Sequence, residues 1–558
     1  MRRRWRIVAV TAAITVFLVG GLFGGRLLAL TGQAREALRT YTELLTAAHE
    51  NAAVATSYRD LVYASIGGML RVLDPHSSFL PPETYSEMRE RQQSSFYGLG
   101  ILVGIRNGQL TVVTPLDGTP ASRMGIRAGD VISLIEGEPT ESMTLDEAVR
   151  KLKGPKGKAV HITVVRAGLD EPLELDIVRD EIPQNTVRQV YMLDDETGYI
   201  ALSDFTNPTT QEVAQAIARL RGEGMKRLLF DLRSNGGGLL EQAIGVSDIF
   251  LPTRSKIVET RGRVRGASES FHDAGEYDPL DMPVIVLVGE ATASAAEIVA
   301  GALQDHDFAL IVGQPTWGKG LVQTVYRLSY DAGLALTTAK YYTPSGRLIQ
   351  RDYTDYYDYA AHDAAQDGEP NGDNGEIFYT DLGREVYGGG GITPDVLVEP
   401  AELPAFLQYL ISRDAFFQFA VGWVNRHPLP GPDWQPDDTV LEAFDAWTIE
   451  QEITDPEELA EALADPEVRR DVLLFLEAEA KGSQFGLEAR SRVLLGVDRQ
   501  VQTALGHFAD AATLLARRQR LNAQDETELA AVAARPPTQG SGVRGQGQQQ
   551  PAGLTPDP

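Results

Sequence analysis

The sequence predicts a multidomain α/β protein in which a small β-rich module precedes the α/β core and helical segments lie on both sides. Three observations predict this: residues 195–345 alternate strand-like and helical runs, residues 96–180 consist mainly of short β-like runs, and residues 400–530 are helical and acid-rich. A chain of 558 residues exceeds what one hydrophobic core normally supports, so several domains are expected.

Composition excludes several classes of partner and site. The formal net charge of −27 at pH 7 would repel a polyanion, so no nucleic-acid partner is expected. The absence of cysteine excludes disulfides, thiolate nucleophiles and cysteine-based zinc sites. The eight histidines are scattered without metal-binding spacing, and we expect neither a metal nor a cofactor.

The first 30 residues have the pattern of an export segment. A basic start, Met1–Arg6, precedes the apolar run Ile7–Gly25, whose 19 residues carry no charge and can just cross a bilayer as a helix. The basic flank should stay in the cytoplasm, which sends the rest of the chain outside. An uncleaved membrane anchor is favoured and a cleavable signal peptide stays open; both predict the periplasmic side of the cell envelope.

Residues 31–95 are predicted to be mainly helical, because apolar positions such as Leu38, Tyr41 and Leu45 recur at helical spacing. Residues 74–82 break that pattern before it resumes. Residues 96–180 form the β-rich module, in which a Thr-Leu-Asp-Glu capping box opens one helix. Its predicted strands are Gly100–Ile105, Leu110–Thr114, Val131–Ile135, Ala159–Val165 and Leu173–Val178, and its helix is Thr144–Leu152.

Residues 181–400 are predicted to be the α/β core, with buried-type strands that lead into helices or glycine-rich turns. Within it, residues 351–392 are a polar insertion rich in Tyr, Asp and Gly, expected to be a surface loop. Residues 401–534 are a helical region, and the Gly-, Gln- and Pro-rich tail 535–558 is expected to be disordered. The predicted core elements are the strands Tyr199–Leu202, Arg227–Leu232, Pro283–Gly289 and Ala309–Gly313 and the helices Thr209–Leu220, Leu239–Phe250 and Ala295–Leu303.

A candidate nucleophile follows a buried strand of the core. Ser294 lies in the turn that leads into a helix, a setting that can hold a hydroxyl exposed at a sheet edge. The Ala295 amide, at the helix start, is a natural donor to an oxyanion. The same residues also fit a Ser-x-x-Glu capping box, so Ser294 on this evidence alone could merely cap the helix.

A candidate base lies in the glycine-rich loop 313–320, which nearly matches the phosphate-binding pattern GxxxxGK[ST]. Gly320 replaces the hydroxyl residue of that pattern, and the following residues 321–328 have the pattern of a strand rather than a helix, which argues against a nucleotide site. Low-dielectric surroundings favour a neutral lysine amine, and a neutral Lys319 could take a proton from a serine.

Two glycine-rich segments are candidate binding loops. In Asp231-Leu-Arg-Ser-Asn-Gly-Gly-Gly238, a glycine amide could supply a second oxyanion donor, or the segment could be a plain turn. The loop Gly98-Leu99-Gly100-Ile101 could present backbone amides to a carboxylate, and the adjoining strand edge could take a peptide tail by β-augmentation.

Taken in order, these segments resemble the carboxyl-terminal processing (tail-specific) serine peptidases, over roughly residues 60–400. The resemblance implies a crotonase- and Clp-protease-like α/β core with an inserted PDZ domain. The matching segments are Asp74-Pro-His-Ser, Gly118–Ile132, Asp231–Gly238, the serine turn, Gly318-Lys-Gly, Tyr341–Arg347 and Gly390–Asp395.

The resemblance implies that Ser294 is the nucleophile, Lys319 the general base and Gln323 the residue that orients it. Ala295 and one glycine of the 236–238 run, Gly237 by preference, would form the oxyanion hole. Gly98, Leu99, Gly100 and Ile101 would bind the substrate tail in the PDZ domain. The implied partners are proteins or peptides with free C-termini; an adaptor protein, a second copy of the chain and the membrane are further expected partners.

Two other functions stay open beside the peptidase. A non-catalytic PDZ scaffold on a protease-like fold would bind tails without turnover, although serine, lysine and glutamine are all present. An esterase is disfavoured because the Gly-x-Ser-x-Gly elbow is absent around Ser294. The chain also departs from the family in having Asn235-Gly where Asn-Pro is frequent, and the insertion and C-terminal helical region, which lie outside the resemblance, are expected to make oligomer or partner contacts.

Overall fold

The computed structural model describes residues 32–353 and 376–533. The predicted export segment, the predicted disordered tail and residues 354–375 of the insertion lie outside this range. Within it, no helix combines the length and apolarity that a membrane crossing requires.

The N-terminal part is helical, as its periodicity predicts, and the break at residues 74–82 contains a short strand. That strand, β1, pairs antiparallel with a strand of the core, so the N-terminal segment is attached to the core sheet. Its elements are α1 (Gly32–Asn51), α2 (Tyr58–Arg71), β1 (Ser78–Leu80) and α3 (Pro82–Gln92).

The β-rich module has its own hydrophobic core and its own sheet. The strand order of this sheet is β3-β4-β5-β7-β8, so β3 lies at its edge. The chain enters the module through β2 and leaves it through β9, and these two strands pair with each other. Thr144 caps α5 with the predicted capping box to Glu147. The elements are β2 (Ser95–Gly98), β3 (Ile101–Arg106), β4 (Gln109–Pro115), α4 (Pro120–Arg123), β5 (Val131–Ile135), β6 (Glu138–Pro139), α5 (Leu145–Leu152), β7 (Ala159–Val165), β8 (Leu173–Val178) and β9 (Asp180–Pro183).

The α/β core contains a six-stranded sheet in the order β10-β11-β12-β15-β16-β21, parallel except for β10, in which β21 is Val396–Leu397. A second, antiparallel sheet carries β1, β18, β13 and β14, with β17 also paired to β18. The elements are β10 (Val187–Met192), β11 (Thr197–Leu202), α6 (Thr209–Gly222), β12 (Arg227–Asp231), α7 (Leu240–Asp248), β13 (Lys256–Gly262), β14 (Glu269–His272), β15 (Val284–Val288), α8 (Ala295–Asp305), β16 (Leu310–Gly313), β17 (Leu321–Arg327) and β18 (Gly333–Tyr342).

Strand β15 is apolar at every position because both of its faces are buried. Val284, Val286 and Val288 pack into the cluster that contains α6, α7 and α8, whereas Ile285 and Leu287 face the opposite side. Both faces are therefore covered, as a parallel sheet requires.

The second face is covered by the end of the C-terminal region. Val501, Ala504 and Phe508 pack against Ile285 and Leu287 of β15. The last helices of this region therefore also belong to the core, because the sheet needs a second apolar layer. The expected oligomer or partner contacts of the region stay a prediction. The C-terminal elements are α9 (Ala405–Ser412), α10 (Ala415–Arg426), α11 (Asp438–Glu450), α12 (Pro456–Leu463), α13 (Pro466–Phe485), α14 (Leu487–Leu495), α15 (Arg499–Gly506) and α16 (Phe508–Ala533).

The described end of the insertion differs from the predicted surface loop. It forms a hairpin of β19 (Ile377–Tyr379) and β20 (Glu385–Tyr387), followed by β21 (Val396–Leu397). Its turn is bound to the end of α8: the Asp381 amide donates to the Asp305 carbonyl at 2.9 Å. The surface-loop prediction is therefore wrong for Ile377–Tyr379 and Glu385–Tyr387, which pair as strands, and the turn between them is hydrogen-bonded to the core.

Candidate active site

Ser294 lies where β15 passes into α8, with the turn before it bound to the Asp231–Gly238 loop. The Ala293 amide donates to the Asn235 carbonyl at 2.9 Å, and the Thr292 hydroxyl donates to the Leu232 carbonyl at 2.7 Å. Ser294 itself has φ = 58° and ψ = −115°, a backbone conformation that is costly for a residue with a side chain. A strained residue held by its surroundings at the start of a helix is typical of an exposed nucleophile.

Lys319 lies in the loop between β16 and β17, and its amine contacts the predicted orienting residue. Lys319 Nζ donates to Gln323 Oε1 at 2.9 Å. Burial lowers the pKa of Lys319, although the charges of Glu297 and Asp74 oppose that shift. Burial therefore favours the neutral amine, which is the form that can accept a proton.

A buried carboxylate joins the serine turn to the lysine loop. Glu297 is fully buried, and its Oε2 accepts from the Ser294 amide at 2.7 Å and from the Lys319 amide at 3.0 Å. Its Oε1 accepts from the Gly318 amide at 2.7 Å and from the Thr316 hydroxyl at 2.5 Å. Because one oxygen contacts both amides, the backbone nitrogens of Ser294 and Lys319 lie within 5.7 Å of each other. The structure thus holds the backbones of the two predicted residues close to each other.

Burial raises the pKa of Glu297, and its four hydrogen bonds oppose that shift. All four partners are donors, which suits a carboxylate, an acceptor-only group when ionised. The sequence indicated Glu297 only as the last residue of a capping box. Its bonds to residues 316–319 could not be inferred from that local pattern.

The predicted oxyanion donors, Ala295 and Gly237, lie close to each other beside Ser294. The Ala295 amide is the first of α8 and therefore cannot find an acceptor within the helix. Gly237 has φ = 93°, and a Cβ there would lie 2.7 Å from Ser294 Cβ and 2.8 Å from the Ala295 nitrogen, so only glycine fits. The Gly237 amide donates to Asn235 Oδ1 at 2.9 Å. To donate to an oxyanion as predicted, the Gly237 amide must therefore give up its hydrogen bond to Asn235 Oδ1.

Tyr341, part of the motif that precedes Arg347, also contacts the serine turn. Its hydroxyl donates to the Ser294 carbonyl at 3.1 Å, and its ring is buried. Burial raises the pKa of Tyr341 well above the ordinary value, so it stays a donor at neutral pH. This bond fixes the carbonyl of the strained residue.

The Asp74-Pro-His-Ser segment lies beside the lysine. Gln323 Nε2 donates to the His76 carbonyl at 2.6 Å, while Gln323 Oε1 accepts from Lys319. Burial and the charge of Lys319 lower the pKa of His76 to about 4. This segment is part of the resemblance, which implies no role for it.

The predicted tail-binding loop lies in the β-rich module, at the start of edge strand β3. Gly98, Leu99 and Gly100 are buried, and Ile101 begins the strand. The Leu99 carbonyl accepts from the Ala121 amide at 2.9 Å. Between module and core lies a cleft of about 320 Å³, lined by residues from both sides, among them Phe96, Lys153, Thr186, Asp204 and Thr206.

Comparison with known proteins agrees with this fold. The model of the family described as peptidase family S41 matches residues 196–356, and a PDZ domain model matches residues 111–166. The β-rich module is therefore a PDZ domain, and the α/β core has the S41 peptidase fold.

Two curated relatives and one solved structure illustrate the similarity. The chain is 41% identical over 349 residues to the carboxy-terminal-processing protease of Bartonella bacilliformis, covering 60% of this chain and 80% of that protein. It is 40% identical over 301 residues to the carboxyl-terminal-processing protease of Synechocystis sp., covering 52% and 69%. The solved photosystem II D1 C-terminal processing protease is 27% identical, with a TM-score of 0.34 and coverage of 66% and 94%.

Proposed function

Because the chain belongs to the carboxy-terminal processing proteases of peptidase family S41, which are serine-type peptidases, we propose that it cleaves exported proteins near their C-termini with a Ser294/Lys319 dyad. The observation that carries this proposal is the single Glu297 oxygen that accepts from the backbone amides of Ser294 and Lys319. It supports a fixed distance between the serine turn and the lysine loop, which proton transfer requires.

The proposed reaction follows from the protonation state of Lys319. The neutral amine takes the proton of the Ser294 hydroxyl as Oγ attacks the carbonyl carbon of the scissile peptide. The amides of Ala295 and Gly237 receive the oxyanion, and the Lys319 ammonium returns the proton to the leaving amine. Lys319, neutral again, then takes a proton from water, which attacks the acyl-enzyme and frees Ser294. Since only the neutral amine is active, cleavage should rise with pH through the lowered pKa of Lys319.

Single substitutions in the full-length chain test the dyad. Ser294→Ala and Lys319→Ala should each reduce cleavage of a denatured protein by about a thousandfold or more. Matched controls are Ser329→Ala and Lys340→Ala, since both side chains are exposed. Wild-type cleavage by either dyad variant, at unchanged melting temperature, would refute the assignment.

We propose that the PDZ domain binds the substrate tail through Gly98, Leu99, Gly100 and Ile101 and the adjoining edge of β3. The edge position of β3 supports strand addition, and a buried glycine loop supports carboxylate binding by backbone amides. A labelled peptide with a free C-terminus should bind the Ser294→Ala protein more tightly than the same peptide with a C-terminal amide. Equal affinities would argue against this mode.

We further propose that the enzyme acts on the periplasmic side of the cell envelope. The apolar run Ile7–Gly25 and the basic residues before it support this location. Full-length protein should appear in the envelope fraction and be accessible to added protease after outer-membrane permeabilisation. A variant that lacks residues 1–30 should remain in the cytoplasm. Equal distribution of both would contradict the proposal.

A further inference from the structure

The Asp74 carboxylate organises the turn that precedes β1. Its Oδ1 accepts from the His76 amide at 2.8 Å and the Ser77 amide at 2.7 Å, and its Oδ2 accepts from the Ser77 hydroxyl at 2.7 Å. A fourth bond comes from a different element, since the Thr337 hydroxyl of β18 donates to Oδ1 at 3.0 Å. The turn is therefore fixed both locally and against the core sheet.

The same turn presents a backbone acceptor to the orienting glutamine. The Ser77 amide and the His76 carbonyl belong to one peptide unit, and in a trans peptide these two groups point in opposite directions. Because Asp74 holds the amide side, the carbonyl side points away from it, toward Gln323 Nε2 at 2.6 Å. Asp74 thus determines where this carbonyl lies.

The carbonyl in turn determines which end of the glutamine amide faces Lys319. A carbonyl oxygen only accepts, so it selects the Nε2 group of Gln323 and leaves Oε1 for Lys319 Nζ. If the peptide unit turned, the amide could rotate and present its own donors to the lysine. An N–H donor cannot accept a hydrogen bond from the amine and would leave Lys319 less well oriented.

We propose that Asp74 is a positioning residue for the peptidase reaction, acting through the 76–77 peptide unit and Gln323 to orient the Lys319 amine. The proposal rests on the Ser294/Lys319 function proposed above. It assigns the Asp-Pro-His-Ser turn a role in the rate of the chemical step rather than in substrate binding.

The pH profile of cleavage distinguishes a positioning role of Asp74 from a role in folding alone. The groups that act electrostatically on Lys319 are Glu297 and Asp74, which raise its pKa, and His76, whose own pKa Lys319 lowers. Asp74→Asn removes one of the two negative charges, so the acid limb of kcat/KM should move to lower pH. Loss of folded protein alone would lower the amplitude of the profile and leave the limb in place.

The test measures kcat and KM from pH 5 to 10 on a peptide with a free C-terminus, using the full chain. For Asp74→Asn we expect kcat to fall about tenfold to a hundredfold with KM nearly unchanged, together with the acid-limb shift. Asp74→Glu keeps the charge but displaces the oxygens, so kcat should fall while the limb stays. Asp331→Asn, an exposed acid at the β17–β18 turn, is the matched control and should match wild type.

The outcomes separate this inference from the dyad proposal. If Ser294→Ala is inactive and Asp74→Asn has the wild-type kcat and pH profile, only the positioning role is overturned. If Ser294→Ala cleaves normally, the dyad itself is overturned. If Asp74→Asn fails to fold, as the loss of its cooperative melting transition would show, kcat and KM of Asp74→Glu and Ser77→Ala test the inference instead. Wild-type kcat in both would overturn the inference, and a reduced kcat with unchanged KM would support it.

Discussion

At the residue scale, the site depends on a carboxylate that we do not assign to the reaction. Glu297 is fully buried and accepts four hydrogen bonds from the serine turn and the lysine loop. Buried carboxylates are costly unless donors satisfy both oxygens. The same bonds that offset this cost hold the two loops in register, so stability and catalysis are coupled at this residue.

Glu297→Gln should damage both properties. In the glutamine, an NH2 group replaces one accepting oxygen and would face the two donors that this oxygen now binds. The unfolding free energy should therefore fall by about 1–3 kcal/mol. Displacement of the loops should lower kcat/KM about tenfold or more. Urea unfolding and peptide cleavage measure the two effects. Glu241→Gln, in the first turn of α7 but exposed, is the control; a silent Glu297→Gln would contradict the coupling.

At the element scale, the end of α7 is held to the segment after β14 by a pair of buried acids. Asp248 Oδ1 accepts from the Ala274 amide at 2.7 Å, and Asp248 Oδ2 accepts from the Glu276 amide at 3.1 Å. Burial, together with the hydrogen bond to Asp248 and its charge, raises the pKa of Asp273 to about 7. The junction therefore favours the protonated form of Asp273.

This pair predicts a pH dependence of stability. The pKa of Asp273 in the folded state, about 7, exceeds the unfolded value of about 3.9, so its contribution is complete below pH ~4 and lost as pH rises through 7. Asp273→Asn should therefore be more stable than wild type at pH 8 by about 1–2 kcal/mol and similar at pH 4. Thermal unfolding at both pH values measures this. The exposed Asp278→Asn should show no such difference, and its showing the same gain would contradict the assignment.

At the scale of the whole molecule, the PDZ domain contacts the C-terminal helices as well as the core. Arg106, at the end of β3, forms an ion pair with Asp414 and lies 4.4 Å from the centre of the Phe417 ring. The next residue, Asn107, donates to Gln418 Oε1 at 2.8 Å. The tip of the β3–β4 hairpin is therefore bound to the start of α10.

Asp414→Asn should loosen this contact. Asn tolerates the left-handed conformation of residue 414 (φ = 57°), so the substitution removes the charge without straining the backbone. The Arg106 guanidinium loses its partner, which should cost about 1–2 kcal/mol because the pair is only partly buried. Hydrogen exchange of the β3–β4 hairpin should accelerate in Asp414→Asn and not in the exposed Asp433→Asn; equal exchange in both would contradict the contact.

Much of the fold was predictable because it follows from local patterns. The strands Val131–Ile135, Ala159–Val165 and Leu173–Val178 form at their predicted limits, and Thr144 caps its helix as its capping box indicates. Ser294 lies at the predicted helix start, and Lys319 and Gln323 lie together. Side-chain periodicity and capping involve residues a few positions apart, so the sequence determines them directly.

What only the tertiary structure decided are contacts between residues far apart in the chain. The Glu297 bonds to residues 316–319, the His76 carbonyl behind Gln323, and the packing of α15 and α16 on the second face of the parallel sheet all join separate elements. No local period encodes such pairings. They arise because buried polar groups need partners and a parallel sheet needs both faces covered, and only the folded chain shows which residues meet those needs.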